Sequence, residues 1–208
     1  EMCDSDWSSD VCSSDLNEGG PGTDRMDYGA SPAPVAVDLA KAVQSGGHGA
    51  GDRLSGIERL RGSAFDDTLS GDAGATIFRG GPGADLIEGR AGRDLVDHAA
   101  SPGAVSVDLA APVQSGGTAE GDRLSGIAGV TGSLFDDSLA GGAGDNLLSG
   151  GLGADTLTGR GGRDVFPGRL ADLDGDRITD LGPGERIGEL GAALGELSLD
   201  TTPLEGAT

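Results

Sequence analysis

An apolar side chain returns at every ninth position along most of this chain, between two short polar or small neighbours. Met26, Leu69, Phe78, Ile87, Val96, Leu139, Leu148, Leu157 and Phe166 hold that position. Each closes a frame of the form G-G-x-G-x-D-x-U-x, where U is apolar. The frame runs without a gap through 62–70, 71–79, 80–88 and 89–97, again through 132–140, 141–149, 150–158 and 159–167, and stands alone at 19–27. The x-U-x end alternates as a strand with one face buried does. Glycines at positions 1, 2 and 4 permit φ > 0 and a tight turn. A period this regular predicts a stacked solenoid. The expected fold is therefore all-β, a parallel β-roll in which two nonapeptides form one coil and every second loop stacks on the same side.

Position 6 adds chemistry to the pattern. It is Asp24, Asp67, Asp85, Asp94, Asp137, Asp155 and Asp164, with Asn146 and Thr76 as departures. A calcium ion takes 6–8 oxygen ligands at roughly 2.3–2.6 Å. One loop offers too few; two stacked loops, each giving a carboxylate and backbone carbonyls, offer enough. Gly80, Gly81, Gly83, Gly150, Gly151 and Gly153 shape the loops that would present those carbonyls. The pairs Asp67/Asp85 and Asp137/Asp155 are expected to be strongest. Asn146/Asp164 ranks lower, and Thr76/Asp94 lowest because it lacks a charge. Asp24 is expected to be incomplete, since the positions one coil away from it are Asp6 and Ala42, outside any glycine loop. Asp52 and Asp122 each open a D-x-L segment and read equally as extensions of the stacks or as surface turns.

A longer repeat contains the short one. Asp27-Tyr28-Gly29-Ala30-Ser31-Pro32 returns as Asp97-His98-Ala99-Ala100-Ser101-Pro102, and 51–57 returns at 121–127, with the same offset in both cases. Each unit joins four nonapeptides to a connector, 28–61 in the first unit and 98–131 in the second. The connector is nearly as long as two further coils, so it is expected to continue the solenoid, with half-buried strands at 35–39 and 105–109. The domain reading is 17–97 for the first unit, 98–167 for the second and 168–208 for a post-repeat segment.

Residues 6–16 match one reading frame of a common short-read sequencing adapter, and residues 1–5 fit the bases before it. We therefore read residues 1–16 as translated adapter, expected to be disordered together with Asn17 and Glu18, and the chain as a fragment that starts at Asn17. Both cysteines and the one tryptophan lie in that stretch, so no disulfide is expected. The formal net charge is −21. Removing the five acidic residues of 1–16 leaves 30 acidic against 14 basic residues, or −16. Such a chain is a poor partner for nucleic acid or an anionic membrane, and no apolar run is long enough to span a bilayer. With Gly at 41 of 208 residues, the chain repels itself and buries little apolar surface, so it is expected to be largely unfolded until calcium turns that repulsion into coordination.

On these residues the chain from Gly19 to about Phe166 resembles the RTX (haemolysin-type) calcium-binding repeat region of secreted proteins. The resemblance implies a parallel β-roll, several bound Ca2+ ions, an extracellular location, and export by type I secretion machinery that reads an uncleaved C-terminal signal. Residues 172–187 look like the family's post-repeat segment, more loosely. Phe65 and Phe135 stand where the family has its position-4 glycine, so the first loop of each array is expected to turn differently. Serralysin-type proteases, lipases and large adhesins carry such regions. The parent is therefore either a secreted hydrolase with its catalytic part elsewhere or a repetitive adhesin. The fragment itself shows no catalytic constellation and is read as non-enzymatic.

Three further features read more plainly. Asp172, Asp174 and Asp176 have EF-hand spacing, but Arg177 and Pro183 stand where that loop needs Gly and Glu, so an exposed acidic turn is expected. His48 and His98 read as exposed loop residues. Arg90, Arg93, Arg160 and Arg163 recur in the last nonapeptide of each array and are expected to pair with loop carboxylates. Leu190, Leu194 and Leu197 have helical spacing and fit a terminal helix or a frayed tail equally.

Overall fold

The computed structural model describes residues 16–168, 175–182 and 184–188. Within them the chain is all-β and winds into a parallel roll with two strand-bearing faces. One face is a continuous eight-stranded sheet: Arg25–Asp27, Arg59–Arg61, Ile77–Arg79, Asp94–Asp97, Ile127–Thr131, Leu147–Ser149, Val165–Phe166 and Arg186–Ile187. The other face is built in blocks. Leu16–Glu18 pairs with Arg53–Ser55. Ala36–Asp38, Thr68–Ser70, Leu86–Glu88 and Arg123–Ser125 form one four-stranded sheet, and Ser106–Asp108, Ser138–Ala140, Thr156–Thr158 and Arg177–Ile178 form another.

Most strands are three residues long because only the middle one has a core to face. Leu60, Phe78, Val96, Val130, Leu148 and Phe166 point inward from the continuous face, and Val37, Leu69, Ile87, Val107, Leu139 and Leu157 from the other. All are at most 1 % exposed and belong to one cluster. Each such side chain contributes roughly 1.5–3 kcal/mol by leaving water. Inside each array the register advances by two nonapeptides per level: Leu69 sits against Ile87, Phe78 against Val96, and Leu139 against Leu157.

The connector does not continue as two plain coils. Leu60 pairs with Met26, and Val130 with Val96, so a whole connector advances the continuous face by a single level. The extra chain doubles back on the other face. Ala36–Asp38 moves forward to pair with Thr68–Ser70. The chain then turns, and Ser45 bridges Ala36 in the antiparallel sense. The Gln44 N–H donates to the Asp52 carbonyl before Arg53–Ser55 drops back a level. Buried Gln44 fixes this reversal: its Oε1 accepts the Asp38 N–H at 2.7 Å, and its Nε2 donates to the Lys41 carbonyl at 3.0 Å. Gln114 repeats the arrangement with Asp108 and Ala111.

Other sequence expectations also change. Leu16–Glu18 is a paired strand, so Leu16, Asn17 and Glu18 are packed on Arg53–Ser55 by main-chain pairing. Residues 1–15, Trp7 among them, lie outside the described residues, as do Asp172, Asp174 and the stretch from 189 onward. His98 is 4 % exposed, not a surface residue, because it fills the place that Tyr28 fills in the first unit. The Tyr28 hydroxyl donates to Asp52 Oδ2 at 2.7 Å, whereas His98 Nδ1 contacts Thr118 Oγ1 at 3.0 Å. Burial pushes the His98 imidazole down to about 4, so it is neutral at physiological pH.

Candidate metal centre

The position-6 side chains form ladders parallel to the strand stacks. Asp85 Oδ1 accepts the Asp67 N–H at 2.8 Å, and Asp122 Oδ1 accepts the Asp85 N–H at 2.9 Å. In the second unit Asp155 Oδ1 accepts from Asp137 N–H at 2.8 Å, and Asp176 Oδ1 from Asp155 N–H at 2.9 Å. On the other turn, Asp94 Oδ1 accepts from Thr76 N–H at 2.7 Å and Asp164 Oδ1 from Asn146 N–H at 2.8 Å. The structure thus brings Asp67/Asp85, Thr76/Asp94, Asp137/Asp155 and Asn146/Asp164 together as same-side pairs, one coil apart.

Within each pair the two members differ. Oδ1 of Asp85, Asp94, Asp155 and Asp164 is engaged in the ladder, while Oδ2 is fully buried and has no hydrogen-bond donor. Asp24 Oδ2 and Asp122 Oδ2 are in the same state. In Asp85, Asp94, Asp155 and Asp164 the free oxygen folds back over the first glycine of its own loop. A Cβ at Gly80 would lie 2.0 Å from Asp85 Oδ2, one at Gly150 1.9 Å from Asp155 Oδ2, and one at Gly159 2.3 Å from Asp164 Oδ2. Position 1 is therefore glycine because the carboxylate occupies the space a side chain would need.

Asp67 and Asp137 have both oxygens satisfied, by a serine of their own loop and by a backbone N–H of the connector. Asp67 Oδ1 accepts the Val35 N–H and the Ser63 hydroxyl, each at 2.8 Å, and Oδ2 accepts the Ser63 N–H at 2.5 Å. Asp137 holds Val105 and Ser133 in the same way. This closure explains how the first loop turns without glycine at Phe65 and Phe135. Ser63 Oγ accepts the Phe65 N–H at 3.1 Å, so a side chain takes over what the glycine did. Asn146 is likewise occupied, with Oδ1 accepting from Gly142 N–H at 2.8 Å and Nδ2 donating to the Ala128 carbonyl at 3.3 Å. The oxygens without a donor thus sit on Asp85, Asp94, Asp155 and Asp164, including the pair whose other member is neutral Thr76.

Carbonyl oxygens complete the lining. Gly81 has φ 114° and Gly83 φ 135°, with would-be Cβ atoms 2.2 Å from the Ser63 carbonyl oxygen and 2.6 Å from that of Phe65. Gly151 and Gly153 meet Ser133 and Phe135 in the same manner. The lower loop thus aims its carbonyls at the backbone of the loop above. Leu152 N–H donates to the Ser133 carbonyl at 3.3 Å. Pro82, at the matching place, has no N–H to give.

Without a cation this arrangement is electrostatically unfavourable for carboxylates. Burial is the main cause that pushes Asp85 up to about 8, Asp122 to about 7 and Asp155 to about 6. Asp94 is raised for the same reason. Among the described residues no three His, Cys, Asp or Glu side chains converge as a metal cluster. Any bound metal must therefore draw on backbone oxygens as well as carboxylates. Hard, all-oxygen lining suits calcium and offers nothing to a soft metal. When bound, the ion would supply positive charge to oxygens that now lack any donor.

Sequence reasoning underrated some members of the ladders. Asp122 stacks on Asp85, which lies before it in the chain, and not on Asp137. Asp176 extends the second ladder at the place read as an acidic turn. Glu58, not Ala42, is the downstream neighbour of Asp24, accepting the Asp24 N–H at Oε2 at 2.9 Å. Of the four recurring arginines, Arg90, Arg160 and Arg163 pair with carboxylates, Arg163 with Asp145 of its own array at 3.9 Å, while Arg90 and Arg160 choose connector strands. Arg90 grips Asp38 through two bonds of 2.6 and 2.8 Å and the Gly71 carbonyl at 3.0 Å. Arg160 grips Asp108 and the Gly141 carbonyl likewise. The Arg90 guanidinium holds Asp38 down at about 2.

Parallel coils, glycine turns and stacked aspartates define a calcium-binding β-roll. Residues 54–75, 70–100 and 131–166 match the family model of the RTX calcium-binding nonapeptide repeat, in four copies. Both arrays thus carry RTX calcium-binding repeats, which makes them a calcium-binding module of the RTX type. No curated protein matches the chain significantly.

Proposed function

We propose that this module folds on calcium outside the cell, as part of a secreted RTX protein exported by type I secretion machinery. The observation that carries the reading is the file of buried aspartates whose Oδ2 atoms have no donor. Such groups are costly as anions in a dry interior and become favourable only when neutralised. A calcium-poor cytoplasm would leave the chain extended for export, and a calcium-rich exterior would close the roll. Among the described residues no helix is long and apolar enough to cross a membrane. We read the module as non-enzymatic and as a stabiliser of whatever adjoins it, a hydrolase or an adhesin; sequence upstream of Asn17 discriminates these parents.

Far-UV circular dichroism in chelator and in millimolar calcium tests the proposal. The chain should be largely unfolded in chelator and gain β-structure with calcium, and magnesium should substitute poorly because it holds its waters and demands a smaller octahedral site. Identical folded spectra in both conditions would leave a merely structural solenoid.

A further inference from the structure

The continuous sheet carries a second polar feature on its outer side, away from the ladders. Arg25, Arg59, Arg61 and Arg79, four of the chain's 14 basic residues, lie on three successive strands there. Arg25 is the register partner of Arg59, and Arg61 of Arg79. Neighbouring strands lie about 4.8 Å apart, so the four side chains rise from one small area. They flank buried Leu60 and Phe78 and therefore point to solvent. Together with Leu60, Ile77 and Asp97 they line a shallow, open surface depression.

The local charge does not cancel. Asp27 serves both Arg25 and Arg61, the latter at 3.5 Å. Asp97 takes Arg79 at 2.6 Å. Arg59 is exposed and makes no ion pair among the described residues. Four guanidinium groups thus meet two carboxylates, in a chain whose total is −21. The roll does not require this cluster: in the second unit the same four positions hold Leu95, Gly129, Thr131 and Ser149, in an otherwise equivalent sheet.

We infer that this depression is a binding site for a compact, doubly charged oxyanion of the sulfate or phosphate type. Planar guanidinium forks match such oxyanions through paired N–H donors. A compact anion is favoured over a long polyanion because fields are screened within about 8–10 Å at physiological ionic strength. A small ligand therefore senses the arginines, while a long polymer would also lie over the acidic surface around them. The same group at the end of a larger ligand would use the same contacts.

The test is a titration of isotope-labelled chain in saturating calcium with sodium sulfate, followed through arginine Nε–H resonances, with sodium chloride at matched ionic strength as control. Sulfate is the probe because calcium precipitates phosphate. Saturable shifts confined to Arg25, Arg59, Arg61 and Arg79, weakened about tenfold in R59Q and in R61Q, are expected. A sulfated monosaccharide added in parallel distinguishes a terminal sulfate from the free ion, and saturable binding of either supports the site. Equal shifts with chloride, no saturation, or unchanged binding in both variants would overturn it. Backbone amide spectra in the same samples report the fold separately. A chain that unfolds in chelator but ignores sulfate in calcium refutes the anion site alone. A chain folded in both refutes calcium-driven folding alone.

Discussion

At the scale of single residues, protons and calcium compete for the same atoms. Asp85, Asp122 and Asp155 titrate near 8, 7 and 6 in the metal-free fold, against about 3.9 in an unfolded chain. Between those limits the folded state holds more protons than the unfolded one. Metal-free stability therefore falls as pH rises from about 4 to 8. A chain that is unfolded before it meets calcium has these carboxylates already ionised at about pH 6.5, so folding on calcium should release few protons. Calorimetry in two buffers of different ionisation enthalpy reads this, and buffer-dependent heats would mean that calcium binds a chain already folded. Thr76 is buried with an unpartnered hydroxyl next to Asp94. Thr76→Asp should raise calcium affinity several-fold, as seen by calcium titration. Asp122→Ala should lower affinity in the first unit, since it removes the acceptor that holds the Asp85 N–H; an unchanged titration would remove Asp122 from the site.

Elements are joined by two long-range clamps that the nonapeptide pattern does not contain. Arg90 and Arg160 reach back 52 residues to the connector strands, and both adopt positive φ, 69° and 68°. A non-glycine residue there is strained, so the ion pair and the carbonyl bond offset a local cost. Arg90→Ala should lose the clamp and keep the strain, whereas Arg90→Gly should lose the clamp and relieve the strain. Calcium-saturated urea unfolding should place Arg90→Gly between wild type and Arg90→Ala; the reverse order would mean that the backbone is not strained. The nonapeptide members of the ladders were legible in sequence because they repeat at nine and the pleat does the rest, whereas Asp122 and Asp176 fall outside that spacing and were not. The connector was not. Its strand at 36–38 was readable from alternation, but its direction and level are set by Gln44, Gln114 and bridges between distant segments. The split between open Asp85 and closed Asp67 was equally hidden, because it depends on hydrogen bonds of Ser63, which stands at a glycine position of the frame and whose partners the spacing does not reveal.

Across the whole molecule, one face is unbroken and the other is assembled from blocks. Each connector uses nearly two coils' length of chain for a rise that the arrays make with one coil. The surplus lies in the detour on the blocked face. Held from its two ends, the roll would carry load along the unbroken sheet, and the detours would act as stored slack. If the antiparallel bridge of a detour gave way, its surplus of nearly one coil would extend by roughly 55 Å, at about 3.4 Å for each extended residue. Release of the second detour would also withdraw Val107 from the core and Asp122 from the ladder on Asp85, so lengthening of the module would be coupled to the opening of a metal-bearing coil.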